Sequence, residues 1–380
     1  VIFGNLSQVV LGVLLNGLGL LGLVIVTGRV RHRWRAERDA RLAAQARPWL
    51  LALIGGDDDV AEPLDRLSAL GRREWRAIMP SALTLLAQVR GQGHDALALL
   101  FDRRGLAGDA LRGLSARGAV ARADAAYVLG LLGRIEAVPR LRRLLGDRDP
   151  QVRAVAARAL GQIGDPVAAP DLIGCLSGAR QVPAHIVVQA LILLGPPARP
   201  ALVAALARGE APVRAVVVDV LGFTGGYAGS AEAVPALARA VASDPAEEVR
   251  ARAARALGKM GTRECLDPLL DATDPAYPEA VRAEAARALG ELGAVEAVPV
   301  LRDLLGAPGY RVPHSAAEAL RELGPPAWEA LRVAAADAEG PAGGGPVAAH
   351  AREALAVVEL RRGVRPPVGA VARVRPPSGH

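Results

Sequence analysis

The run NGLGLLG (16–22) contains Gly17-x-Gly19-x-x-Gly22, the spacing with which a backbone wraps a dinucleotide pyrophosphate. That chemistry needs a strand before the glycines, a helix after them and a carboxylate about 20 residues on. The chain instead continues as LVIVTGRVRHRWR, a further apolar run and then arginines. The motif is therefore a false match for phosphate. Zinc chemistry fares no better at this level, because the six histidines (His32, His94, His185, His314, His350 and His380) show no i,i+4 pairing. Asp57, Asp58 and Asp59 lack the alternating ligands, central Gly and terminal Glu of a calcium loop. Cys175 and Cys265 each fall in a helical pattern and read as buried free thiols of a reducing compartment. No catalytic, cofactor-binding or metal-binding constellation emerges, no cofactor or small-molecule substrate is indicated, and the chain reads as a non-enzyme.

The elements that would have to position any site are helices. Just over half of the 380 residues are apolar, but only 3% are aromatic, so a core must be built from Ala, Leu and Val. The pattern A-L-G recurs, with Leu129, Leu160, Leu191, Leu221, Leu257, Leu289 and Leu320 in register at spacings of 30 to 36 residues. A second glycine follows each, at Gly133, Gly164, Gly195, Gly225, Gly261, Gly293 and Gly324. The clearest copies are QVRAVAARALGQIGDPVAAPDLIGCL (151–176), EVRARAARALGKMGTRECLDPLL (248–270) and AVRAEAARALGELGAVEAVPVLRDLL (280–305). Each predicts a first helix, a Gly-bearing turn and a second helix with Pro in its first turn.

These letters resemble the HEAT repeat, in the short bacterial form shared with phycobilisome lyases. The resemblance covers residues 119–360 and implies an all-α solenoid of stacked antiparallel helix pairs. Its first helices would lie on the convex side and its second helices would line the concave side. Asp-Pro steps at Asp149, Asp244 and Asp274 end one repeat, and Arg153, Arg250 and Arg282 begin the next. Recurrence at the repeat period makes these arginines structural links between repeats. Ala201, Ala204, Ala205, Ala236 and Ala238 on second helices form a small, apolar candidate surface for a protein partner. The di-iron deoxyhypusine hydroxylases use repeated His-Glu pairs on such helices, and this chain contains no His-Glu dipeptide. A lyase-like or other HEAT-based enzyme is the alternative reading.

Residues 1–28 carry no charge and are long enough for a single transmembrane helix. Arg29, Arg31, Arg33, Arg35, Arg38 and Arg41 come directly after, and the positive-inside rule then places the N-terminus outside and the rest in the cytoplasm, at a bacterial inner membrane. Asn5, Gln8, Gly12, Asn16 and Gly19 fall on one stripe, a face for association with another membrane helix. Residues 29–47 form a basic juxtamembrane helix, 48–118 an irregular helical cap with an N-cap at Asp59, and 361–380 a disordered basic tail. The two basic segments carry net +5 each, so the chain's +7 leaves about −3 for the body, 48–360. That body is no nucleic-acid groove. The arms suit the anionic inner leaflet, and the expected partner is an integral membrane protein.

Overall fold

The computed structural model describes residues 40–55, 60–225, 232–336 and 346–363. The segment 1–28 with its Asn5, Gln8, Gly12, Asn16 and Gly19 stripe, the arginines from Arg29 to Arg38, the acidic run 57–59 and the tail beyond residue 363 lie outside the described residues. The described residues form α-helices and short 3-10 turns, in two compact units divided between Ala137 and Val138. No single helix among them is long and apolar enough to cross a membrane.

In the first unit, α1 (40–54) runs through the boundary expected at residue 47. It is followed by α2 (Ala61–Ser68), α3 (Arg72–Gln88), α4 (Gln92–Arg103), α5 (Leu106–Gly113) and α6 (Ala119–Leu131). The N-cap of α2 is Val60, without a side-chain bond to the backbone, and the N-cap expected at Asp59 lies outside the described residues. The capping box occurs one helix later, where Glu74 reaches back to the Gly71 amide at 2.8 Å. Leu50, Leu53, Leu67, Ile78, Leu86, Leu97, Leu100 and Phe101 fill the core. Trp75 meets the edge of Phe101 at 5.6 Å, and the Arg104 guanidinium lies 4.6 Å above Trp75.

The second unit is a stack of helical hairpins. Its first helices are α8 (Pro150–Ile163), α10 (Ala184–Leu194), α12 (Ala211–Thr224), α14 (Glu247–Met260), α16 (Glu279–Glu291), α18 (Arg311–Glu322) and α20 (Pro346–Gly363). Its second helices are α7 (Val138–Leu144), α9 (Ala169–Gly174), α11 (Arg199–Arg208), α13 (Ala233–Ser243), α15 (Leu266–Asp271), α17 (Val298–Leu304) and α19 (Pro325–Ala336). Successive first helices pack in one row, and the second helices pack as α9, α11, α13 and α15 in sequence and as α17 on α19. The helix α20 continues past the tail boundary expected at residue 361.

The two glycines of the repeat have different physical causes. The first sits where neighbouring helices touch: a Cβ on Gly161 would lie 2.6 Å from the Ala190 Cα, and one on Gly258 would lie 2.8 Å from the Ala288 Cα. Gly161, Gly222, Gly258 and Gly290 thus receive Ala190, Ala256, Ala288 and Ala319 of the next repeat, and the two residues together set how closely the helices approach. Ile192 replaces this glycine in α10, and α10 meets α12 over a smaller surface than α12 meets α14. The second glycine ends the helix in the left-handed region, as at Gly164 (φ 79°) and Gly261 (φ 66°). Gly225 departs, with φ −73°, and is held instead by lack of room, since a Cβ there would lie 2.3 Å from Met260 Cγ.

Candidate functional site

The helix ends explain the register arginines. Asp149 caps α8 through its Oδ1, which accepts from the Gln151 and Val152 amides at 2.8 and 3.3 Å, and Pro150 occupies the first turn. Arg153, one turn on, is buried and donates from Nη1 to the Asp147 and Arg148 carbonyls at 2.9 and 3.3 Å. Those carbonyls follow the C-terminus of α7, where the helix dipole favours a cation. Arg250 donates to the Val241 carbonyl of α13 at 3.0 Å and covers Tyr277, and buried Arg282 donates to Thr273 after α15 at 3.1 Å. Arg122 and Arg214 hold the same register and do the same work. The first donates to the Ala116 and Arg117 carbonyls, and the second to the Gly209 carbonyl at 2.7 Å. Both are legible in the sequence, each seven residues before a register leucine.

Direct Asp–Arg pairing occurs at Arg214, which forms a two-pronged bond to Asp244 at 2.7 Å, with side chains 13% and 6% exposed. Burial opposes ionisation of Asp244, but the hydrogen bond from Arg214, the Ala246 amide and the charge of Arg250 outweigh it and hold the carboxyl below its usual value. The first-helix row carries a second set of links. Arg252 of α14 reaches Asp219 of α12 at 2.5 Å, and Arg255 of α14 meets Glu284 of α16 at 2.8 Å. Glu284 is buried, which by itself resists charge. Hydrogen bonds and charge from Arg255, with the charges of Arg287 and Arg311, hold it below the ordinary glutamate value.

The second-helix row is grooved. Between α11 and α13 lies a groove of about 350 Å³ lined by Val203, Leu206, Ala207, Ala236 and Ala240, with Arg214, Arg239, Ser243 and Asp244 at its polar side. Of the five candidate alanines, Ala236 lines this groove. Ala204 is exposed, while Ala201, Ala205 and Ala238 are half-buried and take no part in the lining. A wider groove of about 710 Å³, between α15 and α17, is lined by Leu270, Val300 and Leu304 and bordered by Asp271, Asp274 and Asp303.

Cys265 is buried and Cys175 half-buried, both are free thiols, and burial raises both pKa values, which keeps them unreactive. His94 engages the Leu131 carbonyl at 3.1 Å, and His185 is exposed. The remaining described histidines come together, although the sequence holds them 36 positions apart. His314 of α18 stacks on Tyr310 at 5.1 Å and meets the His350 ring of α20 edge-on at 6.2 Å. Nδ1 of His350 is buried with no hydrogen-bond partner, a loss of about 1–3 kcal/mol for such a group. One ligand atom each from His314, His350 and Glu353 lies within 4.8 Å of the others. His350 and Glu353 lie one turn apart on α20, but no within-helix spacing joins them to His314, which meets them only through the packing of α18 on α20. The readable trace is the substitution of the register arginine by Pro313 with His314 beside it.

A family model described as HEAT repeats matches residues 109–192, 199–280 and 266–356. The chain belongs to the HEAT-repeat family. The stacked hairpins are its α-solenoid, and such arrays present extended surfaces for binding other molecules. No curated protein matches the sequence. Among solved structures, the karyopherin Kap121p bound to the extreme C-terminus of the protein phosphatase Cdc14p is 15% identical over 83% of this HEAT-repeat chain, with a TM-score of 0.51. The match spans 41% of that karyopherin. The CpcE–CpcF complex of phycocyanin lyase from Nostoc is 23% identical over 60% of this chain and 92% of that one, with a TM-score of 0.30. Human deoxyhypusine hydroxylase is 21% identical over 69% of this chain and 96% of that one, also at 0.30. These likenesses extend to the fold alone.

Proposed function

We propose that this HEAT-repeat protein is a scaffold or accessory subunit that holds a protein partner along its second-helix row. The observation that carries the reading is the pair of grooves on that row. One has a floor of small apolar side chains, and the other a border of Asp271, Asp274 and Asp303. Small aliphatic anchors would enter the first and basic side chains would meet the second. Kap121p, of similar fold, is bound to the C-terminus of another protein, and an extended partner segment is the corresponding ligand here. The apolar segment 1–28, followed by its arginines, supports tethering at a membrane with the solenoid in the cytoplasm. The favoured partner is accordingly an integral membrane protein.

Native co-purification from membranes tests the reading. Ala207→Glu with Val203→Glu is expected to release the partner while leaving helix content unchanged, and retention of the partner would rule out the groove. Asn5→Leu, Gln8→Leu and Asn16→Leu together should weaken capture of a membrane-embedded partner, and full retention would remove the stripe from the interface. The enzymatic alternative predicts a protein that takes up bilin and becomes coloured. A sample that stays colourless with added bilin supports the binding role.

A further inference from the structure

The last described repeats depart from the register arginine that α6, α8, α12, α14 and α16 carry, as α10 also does with Ala184 and His185. Pro313 stands at the arginine register with His314 next to it, and α20 packs on α18 so that His350 and Glu353 come alongside. His350 is 8% exposed, and its Nδ1 meets no partner. An apolar side chain would seal this helix contact without leaving a buried ring nitrogen bare. We propose that His314, His350 and Glu353 form a binding site for a divalent transition-metal ion of the zinc class, which ties α18 to α20. The proposal does not depend on the scaffold reading.

Two imidazoles and one carboxylate are the nitrogen and oxygen donors that Zn²⁺ takes, and three protein ligands leave a fourth position for water. Tetrahedral bonds of about 2.0–2.2 Å place ligand atoms about 3.4 Å apart. From within 4.8 Å, the ion therefore has to draw the three inward by up to about 1.4 Å. Glu353 is exposed and has the freedom to make most of that movement. The Tyr310 hydroxyl lies 3.4 Å from His314 Nδ1, in the place of the outer hydrogen-bond partner that fixes the orientation of metal-bound imidazoles. Glu318, 3.9 Å from His314 Nε2, adds a second carboxylate at the edge of the site.

The test is calorimetric titration of the full chain, free of any histidine tag and stripped with chelator, using Zn²⁺ alone. The expected result is one ion per chain, with affinity falling at least tenfold in Glu353→Ala and in His314→Ala and unchanged in His185→Ala. Circular dichroism verifies that each variant keeps its helix content. Because His350 is buried, His350→Ala is not relied upon. In parallel, Co²⁺-loaded protein should show the visible bands of tetrahedral cobalt and lose them in Glu353→Ala. Absence of saturable binding, or binding undiminished by Glu353→Ala and His314→Ala, would overturn the proposal and leave an aromatic stack only.

Discussion

Gly258 shows how one missing Cβ sets the spacing of a repeat stack. Alanine is worth about 1 kcal/mol more than glycine inside a helix, but at Gly258 the new Cβ meets the Ala288 Cα at 2.8 Å, an atom of the main chain that cannot turn aside. Overpacking of this kind costs about 1–3 kcal/mol. Gly258→Ala should therefore lower stability despite its better propensity, whereas Gly174→Ala, with nothing within 4 Å, should be neutral or slightly stabilising. Denaturant midpoints of the two variants check the contrast. Glu284 makes a pH-dependent contribution. Its folded carboxyl is held below the ordinary value by Arg255, so its stabilisation is complete above the unfolded value of about 4.3 and is lost as pH falls through the lower folded value. Glu284→Gln should thus destabilise at neutral pH by about 1–3 kcal/mol and flatten the decline of stability below about pH 4.3. Thermal scans across pH 3 to 7 would show whether that acid limb changes.

Among elements, α6, α8, α12, α14 and α16 are each joined by an arginine to carbonyls at or just after the C-terminus of the preceding helix, whereas α10 and α18 carry Ala184 and Pro313 at that register. Arg214 is the strongest case because it also forks onto Asp244 in a nearly closed environment. Removing one member of such a pair leaves the other charge buried and costs about 3–5 kcal/mol. Arg214→Ala is expected near the lower end of that range. Arg214→Lys should recover little of the loss, since an ammonium cannot reproduce the fork. Chemical denaturation of both variants decides this, and a loss under about 1 kcal/mol would contradict it. The family pattern Val-Arg-x-x-Ala-Ala makes this register visible in the sequence. It does not show whether a given arginine takes a carboxylate as well as a carbonyl. Asp149 has the same Asp-Pro context as Asp244, yet it caps α8 instead.

For the whole molecule, a stack in which each hairpin touches its neighbours, within units divided at Ala137, should lose structure in steps under denaturant. Different probes should then give different midpoints, with Trp49 and Trp75 reporting the first unit and Trp328 the second, and coincident transitions would show tighter coupling than the contacts imply. The helical class, the repeat register and the arginine positions were determined by the sequence itself. Period, propensity and helix-end chemistry are local, and they recur often enough here to be read from seven copies. Which alanines line a groove was not local, because small side chains point to either side of a helix and only packing selects Ala236 over Ala201 or Ala204. The meeting of His314 with His350 was hidden for a related reason. Within-helix spacing reports groups one turn apart, whereas these residues become neighbours only when α20 closes on α18. Local chemistry therefore specified the repeating parts, and the tertiary stack decided which of their side chains share a surface.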